Sequence, residues 1–299
     1  MPEESFPLMS RPGHRKTSGR RERRHAEPRY AFADLILRQK SFNPASTRVK
    51  REGRMCGRFV SARKRLELLE EFAATRDAVA ADRDADYNVA PTKRIYAVLQ
   101  HKEEEERELR LVRWGLVPSW AKDTSGGARM INARSETVAV KPAFRAAFSR
   151  RRCLIPADGY YEWMTEGKAK KPFYIYRTDG GILAFAGIYE LWRNSVVPED
   201  HDDAWYWSAS IITTQATDEI GRIHDRTPMV IAPENWTDWL DPANHERELL
   251  LATMRPATLS GAGGLTSHSV STAVNSVRNN GPSLIEPPGD AEPPGSSLF

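Results

Sequence analysis

Seven short apolar runs, at 95–99, 109–114, 153–155, 160–163, 173–176, 182–189 and 206–213, constrain the fold of this chain more than any other feature. Each is rich in β-branched and aromatic residues, and each is bounded by Gly, Pro, Asp or charged clusters, which is the pattern of strands separated by turns. Stretches of helical spacing interrupt them near 142–148, 233–240 and 245–254, without the regular alternation of a doubly wound sheet. A mixed α+β fold with a β-rich core is the expectation. Ser61 is a candidate N-cap for a helix carrying Leu66, Leu69 and Phe72, and the acidic run Glu103 to Glu106 suits the tip of a solvent-facing hairpin.

The ends differ from the middle. Residues 1–54 hold 14 Lys+Arg against 6 Asp+Glu, a net +8, so of the whole chain's +4 the remaining 245 residues carry −4. With one apolar cluster around 31–37, this leader cannot bury enough surface to offset its ordering entropy. The expected organisation is a disordered basic leader at 1–54, a domain at 55–286 and a Pro-Gly tail at 287–299. No stretch reaches the roughly 18 apolar residues of a membrane span, and no secretory signal precedes the domain. Two cysteines, Cys56 and Cys153, do not make a disulfide framework, so a reduced, cytoplasmic setting is expected. Seven His and two Cys lack metal-ligand spacing, and no glycine-rich phosphate loop is present; neither metal nor cofactor is expected.

Six motifs carry the chemistry: Met55-Cys56-Gly57-Arg58-Phe59, Tyr87-Asn88-Val89-Ala90-Pro91, Trp114-Gly115-Leu116-Val117-Pro118, Ile131-Asn132-Ala133-Arg134-Ser135-Glu136-Thr137, Asp158-Gly159-Tyr160-Tyr161-Glu162-Trp163 and His224-Asp225-Arg226-Thr227-Pro228-Met229. In this order the set resembles the SRAP family, the SOS response-associated peptidase fold, over about residues 55–286. Val274-Asn275 and Asn279-Asn280-Gly281-Pro282 extend the likeness toward the C-terminus.

The resemblance implies a bifurcated, mostly antiparallel sheet forming a pseudo-barrel with flanking helices. It also implies a DNA-repair activity in which Cys56, freed as an N-terminus, bonds covalently to abasic sites in single-stranded DNA. The chemistry is sound on its own terms. An α-amine titrates near pH ~8 against ~10.4 for Lys, so more of it is free base at neutrality. It forms a Schiff base with the sugar aldehyde, and the thiol two carbons away closes a five-membered thiazolidine.

By the same resemblance Glu162 assists deprotonation of the amine, and a carboxylate between Tyr161 and Trp163 is expected to be partly desolvated. His224 protonates the sugar ring oxygen, and Asn132 orients the cysteine and the sugar through its amide. Arg58 and Arg134 hold flanking phosphates, with Arg226 beside them. Asn88, Pro91, Trp114 and Trp120 line a single-strand groove, where aromatic faces stack on bases. Trp163 and Trp207 are read as core. Each residue also has a plainer reading: a buried cysteine, a surface glutamate, a turn asparagine, or Asp225 paired with Arg226.

As an internal residue, Cys56 has an acylated nitrogen that cannot form a Schiff base. A start at Met55 followed by methionine removal is the first explanation, and self-cleavage before Cys56 with help from Glu162 and His224 is the second. A basic arm that adds DNA affinity is the third, and it would still need cleavage. Strand-cleaving lyase activity could accompany the adduct. The competing functions are a non-covalent module for modified cytosine or DNA junctions, and a thiol peptidase using Cys56 and His224. A monomer, associated with the nucleoid when bound to DNA, is expected.

Overall fold

The computed structural model describes residues 57–101, 106–201, 204–216, 220–256 and 264–288. The leader 1–54, Cys56 and the tail from 289 onward lie outside the described residues. In chain order the elements are β1 (Phe59–Ser61), α1 (Arg65–Glu71), β2 (Ala74–Asp77), β3 (Asp86–Val89), β4 (Arg94–Gln100), β5 (Arg107–Trp114), β6 (Asn132–Arg134), α2 (Arg145–Arg150), β7 (Arg152–Ala157), β8 (Gly159–Glu166), β9 (Ala169–Arg177) and β10 (Leu183–Arg193). They continue with β11 (Trp205–Gln215), α3 (Ile220–Ile223), β12 (Arg226–Ile231), α4 (Trp236–Leu240), α5 (Arg247–Thr253), β13 (Met254–Pro256) and β14 (Leu265–Ser269). All seven apolar runs are strand cores. The acidic run falls between β4 and β5, which pair antiparallel from Arg94↔Arg113 to Gln100↔Arg107; residues 102–105 themselves are outside the described set.

The runs are continuous because both faces of their strands are buried. Alternate residues divide between two cores. Ile95, Ala97, Leu99, Cys153, Ile155, Phe185 and Ile211 pack with Phe59, Tyr160 and Ile175. Their neighbours Tyr96, Val98, Leu154, Ala184, Ala186, Ile188 and Ile212 pack with Leu68, Phe72, Phe148, Trp236, Trp239 and Leu250 from the helices. The α+β class and the flanking helices follow from this two-sided burial.

One sheet has the order β14-β9-β8-β1-β3. The larger sheet contains the path β10-β7-β4-β5-β11, and β11 pairs back onto β10, so five strands close into a ring. All pairs in the ring are antiparallel except β5–β11. The ring opens at β11. Its first half runs beside β5 and β10, whereas from Ile211 onward its edges are taken by β6 (Ile211↔Asn132, Thr213↔Arg134) and β12 (Thr213↔Pro228, Gln215↔Arg226). This is the fork of the expected bifurcated sheet.

After β5 the chain folds back over the outer face of the ring. Gly115 permits the turn at φ +126°, and a Cβ there would meet the Gly127 carbonyl oxygen at 2.6 Å. The Val117 amide then donates to Ser208 Oγ at 2.9 Å. Near the N-terminus the expectation fails in detail. Ser61 ends β1, the helix starts after Lys64 without a side-chain cap, and Leu66 is 71% exposed while Leu68 and Phe72 are buried. The sheet claims Ser61 because β1 pairs with β3 as far as Ser61↔Asp86.

Cys153 is a free, fully buried thiol packed against Gly187, and burial pushes its pKa well up. Arg152 beside it is buried as well. Its guanidinium donates to the carbonyls of Phe148, Ser149, Trp239, Asp241 and Asn244, joining the end of α2 to the end of α4. Burial lowers its pKa to about 10, which still leaves it charged at neutrality. Replacing Arg152 by Met strands these carbonyls without a donor and should cost about 3 kcal/mol or more, read as a lower urea midpoint at an unchanged slope.

Candidate active site where the two sheets meet

The start of β1 is the natural origin of the site. Phe59 pairs with Tyr160, and the Tyr161 amide donates to the Arg58 carbonyl at 3.0 Å. The antiparallel register therefore carries Gly57, the first described residue, toward Glu162. Glu162 is 1% exposed, and alternation along β8 puts it on the same face as Tyr160, turned toward the core shared with the larger sheet. Gly159 allows β8 to begin tightly packed, since a Cβ there would lie 2.6 Å from the Tyr174 ring.

The facing wall comes from the open end of the ring. The Tyr160 hydroxyl lies 3.2 Å from Thr227 Oγ1, bridging β8 to the start of β12. His224 stands three residues before that bridge, at the end of α3, which packs on β8. Its Nδ1 accepts from the Arg226 amide at 3.2 Å, so in the neutral ring the proton belongs on Nε2. Asp225 Oδ1 is 3.1 Å from the same Nδ1. Burial lowers the His224 pKa, opposed by the Asp225 charge and by the Arg226 amide, with Lys170 and Arg226 adding to the lowering.

Asn132 and Arg134 sit on one face of β6 at alternate positions, both half-buried, held by the parallel pairing to β11. Asn132 and Arg134 thus sit on a strand that pairs with the open end of β11, and His224 stands just before the other strand that pairs there. Cys56 lies outside the described residues.

Arg226 departs from its expected role. It is buried, and its guanidinium grips Glu136 through Nη1 at 2.7 Å and Nη2 at 3.2 Å, while Nη2 also reaches the Thr213 carbonyl at 2.8 Å. Burial opposes ionisation of Glu136, but the Arg226 hydrogen bond and charge prevail and leave its carboxyl below the usual range. Arg226 therefore braces β12 against β11 and has no free fork for a phosphate. It also pairs with Glu136 instead of Asp225. The signal for Glu136 was present in Asn-Ala-Arg-Ser-Glu, because a carboxylate two residues past β6 is within reach of any arginine entering β12.

The other arginine motif lies across the smaller sheet. Alternation puts Arg58, Asn88 and Trp163 on the face opposite Glu162, beside the C-terminal segment. Asn88 is fully buried. Its Nδ2 donates to the carbonyls of Val274 (3.2 Å), Ser276 (2.9 Å) and Asn279 (3.0 Å), and its Oδ1 accepts from Arg58 Nη1 at 2.7 Å. Arg58 also donates to the Val274 carbonyl at 2.8 Å, and burial lowers its pKa. Asn88 is thus a fastener for the C-terminal segment and for Arg58, not a groove contact.

The tryptophans are exchanged relative to expectation. Trp114 is fully buried against Phe59, with its indole N–H donating to the Ile131 carbonyl at 2.9 Å, so it cannot stack on a base. Trp163 and Trp207 are half-buried instead of core: Trp163 donates to Asn275 Oδ1 at 2.7 Å under the Arg58 guanidinium, and Trp207 lies under Arg110. Trp120 is 69% exposed and Pro91 half-buried, which leaves both open to a ligand. Among the described residues no group of three or more His, Cys, Asp or Glu side chains could hold a metal ion, and no helix is long and apolar enough to cross a membrane.

A half-closed ring of strands with a second sheet against its open end defines a distinct α+β class. The sequence matches the family described as SOS response associated peptidase (SRAP) over residues 55–277, and the chain belongs to that family. It is 37% identical over 233 residues to the abasic site processing protein YoqW of Bacillus subtilis (strain 168), covering 78% of this chain and 99% of that one. It is 33% identical over 237 residues to the abasic site processing protein YedK of Escherichia coli (strain K12), covering 78% and 100%. The abasic site processing protein HMCES of Gallus gallus is 32% identical over 216 residues, 64% of this chain and 60% of that one. Among solved structures, a protein from Bacteroides thetaiotaomicron has a TM-score of 0.66 at 24% identity, covering 78% of this chain and 100% of that chain. A phage-related protein from Bordetella bronchiseptica has a TM-score of 0.53 at 27% identity, covering 72% and 94%.

Replacing Asn88 by Ala removes four hydrogen bonds from a buried position and should cost about 2–4 kcal/mol. Hydrogen exchange should rise first in 273–280, ahead of the ring strands.

Proposed function

We propose that this chain processes abasic sites in single-stranded DNA, with Cys56 as an N-terminal nucleophile that ends as a thiazolidine. The observation that carries the reading is the β1–β8 register, which runs Gly57 toward a buried carboxylate. Cys56 is bonded to Gly57, one Cα step of ~3.8 Å away. The names of the relatives YoqW, YedK and HMCES support the substrate.

In the proposed sequence His224 gives a proton to the sugar ring oxygen as the hemiacetal C1–O bond breaks, and the anomeric hydroxyl loses its proton to solvent, leaving the aldehyde. Glu162 takes a proton from the Cys56 ammonium, and the freed nitrogen attacks the aldehyde carbon. Loss of water leaves an imine. The Cys56 thiol adds its sulfur to the imine carbon and its proton to the nitrogen, closing the ring. Asn132 positions the sugar by donating and accepting together, while Arg134 meets a flanking phosphate and Trp120 and Pro91 the neighbouring bases. The reading requires a free Cys56 amine, and the family match begins at Met55.

A protein with Cys56 as its N-terminus, verified by mass, should give a denaturation-resistant adduct with an abasic single-stranded oligonucleotide. Cys56→Ser keeps the amine, so it should give a borohydride-trappable imine without the resistant adduct. No adduct from the verified protein would sink the proposal, and undiminished binding by Cys56→Ala with no adduct from any form would favour a non-covalent module.

The rate should depend on pH in a bell. It rises at low pH as more of the Cys56 amine is freed, levels off where His224 begins to lose the proton it must donate, and falls above the amine's own value of ~8. Because burial lowers the His224 pKa, the level stretch begins below the ordinary histidine range. His224→Ala should slow the adduct about 100-fold and leave only the rise with pH. A wild-type bell in His224→Ala would remove His224 from the mechanism.

A further inference from the structure

Arg94 and Arg113 stand directly opposite each other on β4 and β5, both exposed on the outer face of the ring. Like charges in that relation destabilise a sheet, and among the described residues no carboxylate pairs with either. Tyr206 of β11 lies beside them. Burial pushes its pKa up while the charges of Arg113 and Arg94 pull it down, which sets both guanidiniums within electrostatic range of the phenol. Tyr206 pairs with Trp192, and the Trp192 indole donates to the Ala121 carbonyl at 2.7 Å. That bond fastens the turn bearing exposed Trp120 to this margin of the ring.

The result is a patch of two guanidinium forks that no described carboxylate pairs with, a phenol hydroxyl and an exposed indole. Forks of this kind suit phosphate oxygens, and the indole suits a base. Tyr206 precedes Ile211, the partner of Asn132, by five residues on β11. At ~3.3 Å per residue the patch lies about 17 Å from the level of Asn132, or about five nucleotides of a stacked strand at ~3.4 Å each.

We infer that Arg94 and Arg113 clamp backbone phosphates of a single DNA strand at a second site, beyond Trp120 and remote from the lesion. The inference rests on the DNA reading given above, but not on chemistry at Cys56. A sheet that tolerates two opposed cations has a stability cost that a bound polyanion removes.

The test uses the full chain and an undamaged single-stranded oligonucleotide long enough to span both sites. The double variant Arg94→Gln/Arg113→Gln should bind about tenfold more weakly per arginine, and the slope of log affinity against log salt should fall by about 1.4. Its melting temperature without DNA should hold or rise, because the repulsion is gone. Wild-type affinity and slope in the variant, beside a wild-type protein that binds, would overturn the clamp and leave the lesion chemistry standing. A wild-type protein that binds no single strand would overturn both. A fall in melting temperature would show the arginines to be structural and overturn the clamp. Inorganic phosphate at matched ionic strength should not displace the oligonucleotide; displacement would assign the pair to free phosphate instead.

Discussion

Everything distinctive in this fold depends on the change of partners along β11. Hydrogen bonding along a strand edge is obligatory for buried backbone, so when β5 and β10 diverge, other strands must take up the freed groups. β6 and β12 do so within three residues of one another, at Ile211 and Thr213. Both supplying strands are short and enter from loops, and each carries charged or amide side chains at its start. A fork in a buried sheet thereby brings in polar side chains, Asn132 and Arg134 on β6 and, just before β12, His224.

The second sheet is joined to this region because it shares a core with the first. Phe59, Tyr160 and Ile175 are as much part of the ring's packing as Phe185 or Ile155. The Tyr160–Thr227 contact fixes the distance between the walls at a point two residues from Glu162 and three from His224. On the far face of that sheet, the Asn88 amide holds the C-terminal segment by its carbonyls, so the start of β1 is supported from both sides.

The long strands were legible in the sequence because two-sided burial writes continuous apolar runs, and the α+β class followed. The family motifs fall on β1, β6, β8 and the entry to β12. β1, β2, β3, β6, β12, β13 and β14 were not read as strands: at three to six residues they are too short for a period to show, and their pairing is decided by distant partners. The same limit governed side chains. Trp114 and Trp163 look alike in sequence, yet one fills the core and the other lies at a rim, since burial depends on which face a strand turns inward. Arg226 looked like a phosphate ligand until Glu136, ninety residues away, supplied its counter-charge.

Cys153 gives a last consequence. Its thiol is sealed inside the ring against Gly187, where the thiolate that alkylating and oxidising reagents require is suppressed. A chain with two thiols has thus removed one from chemistry by packing. A thiol-directed label applied to the folded protein passes Cys153 by, and its appearance on Cys153 marks the opening of the ring.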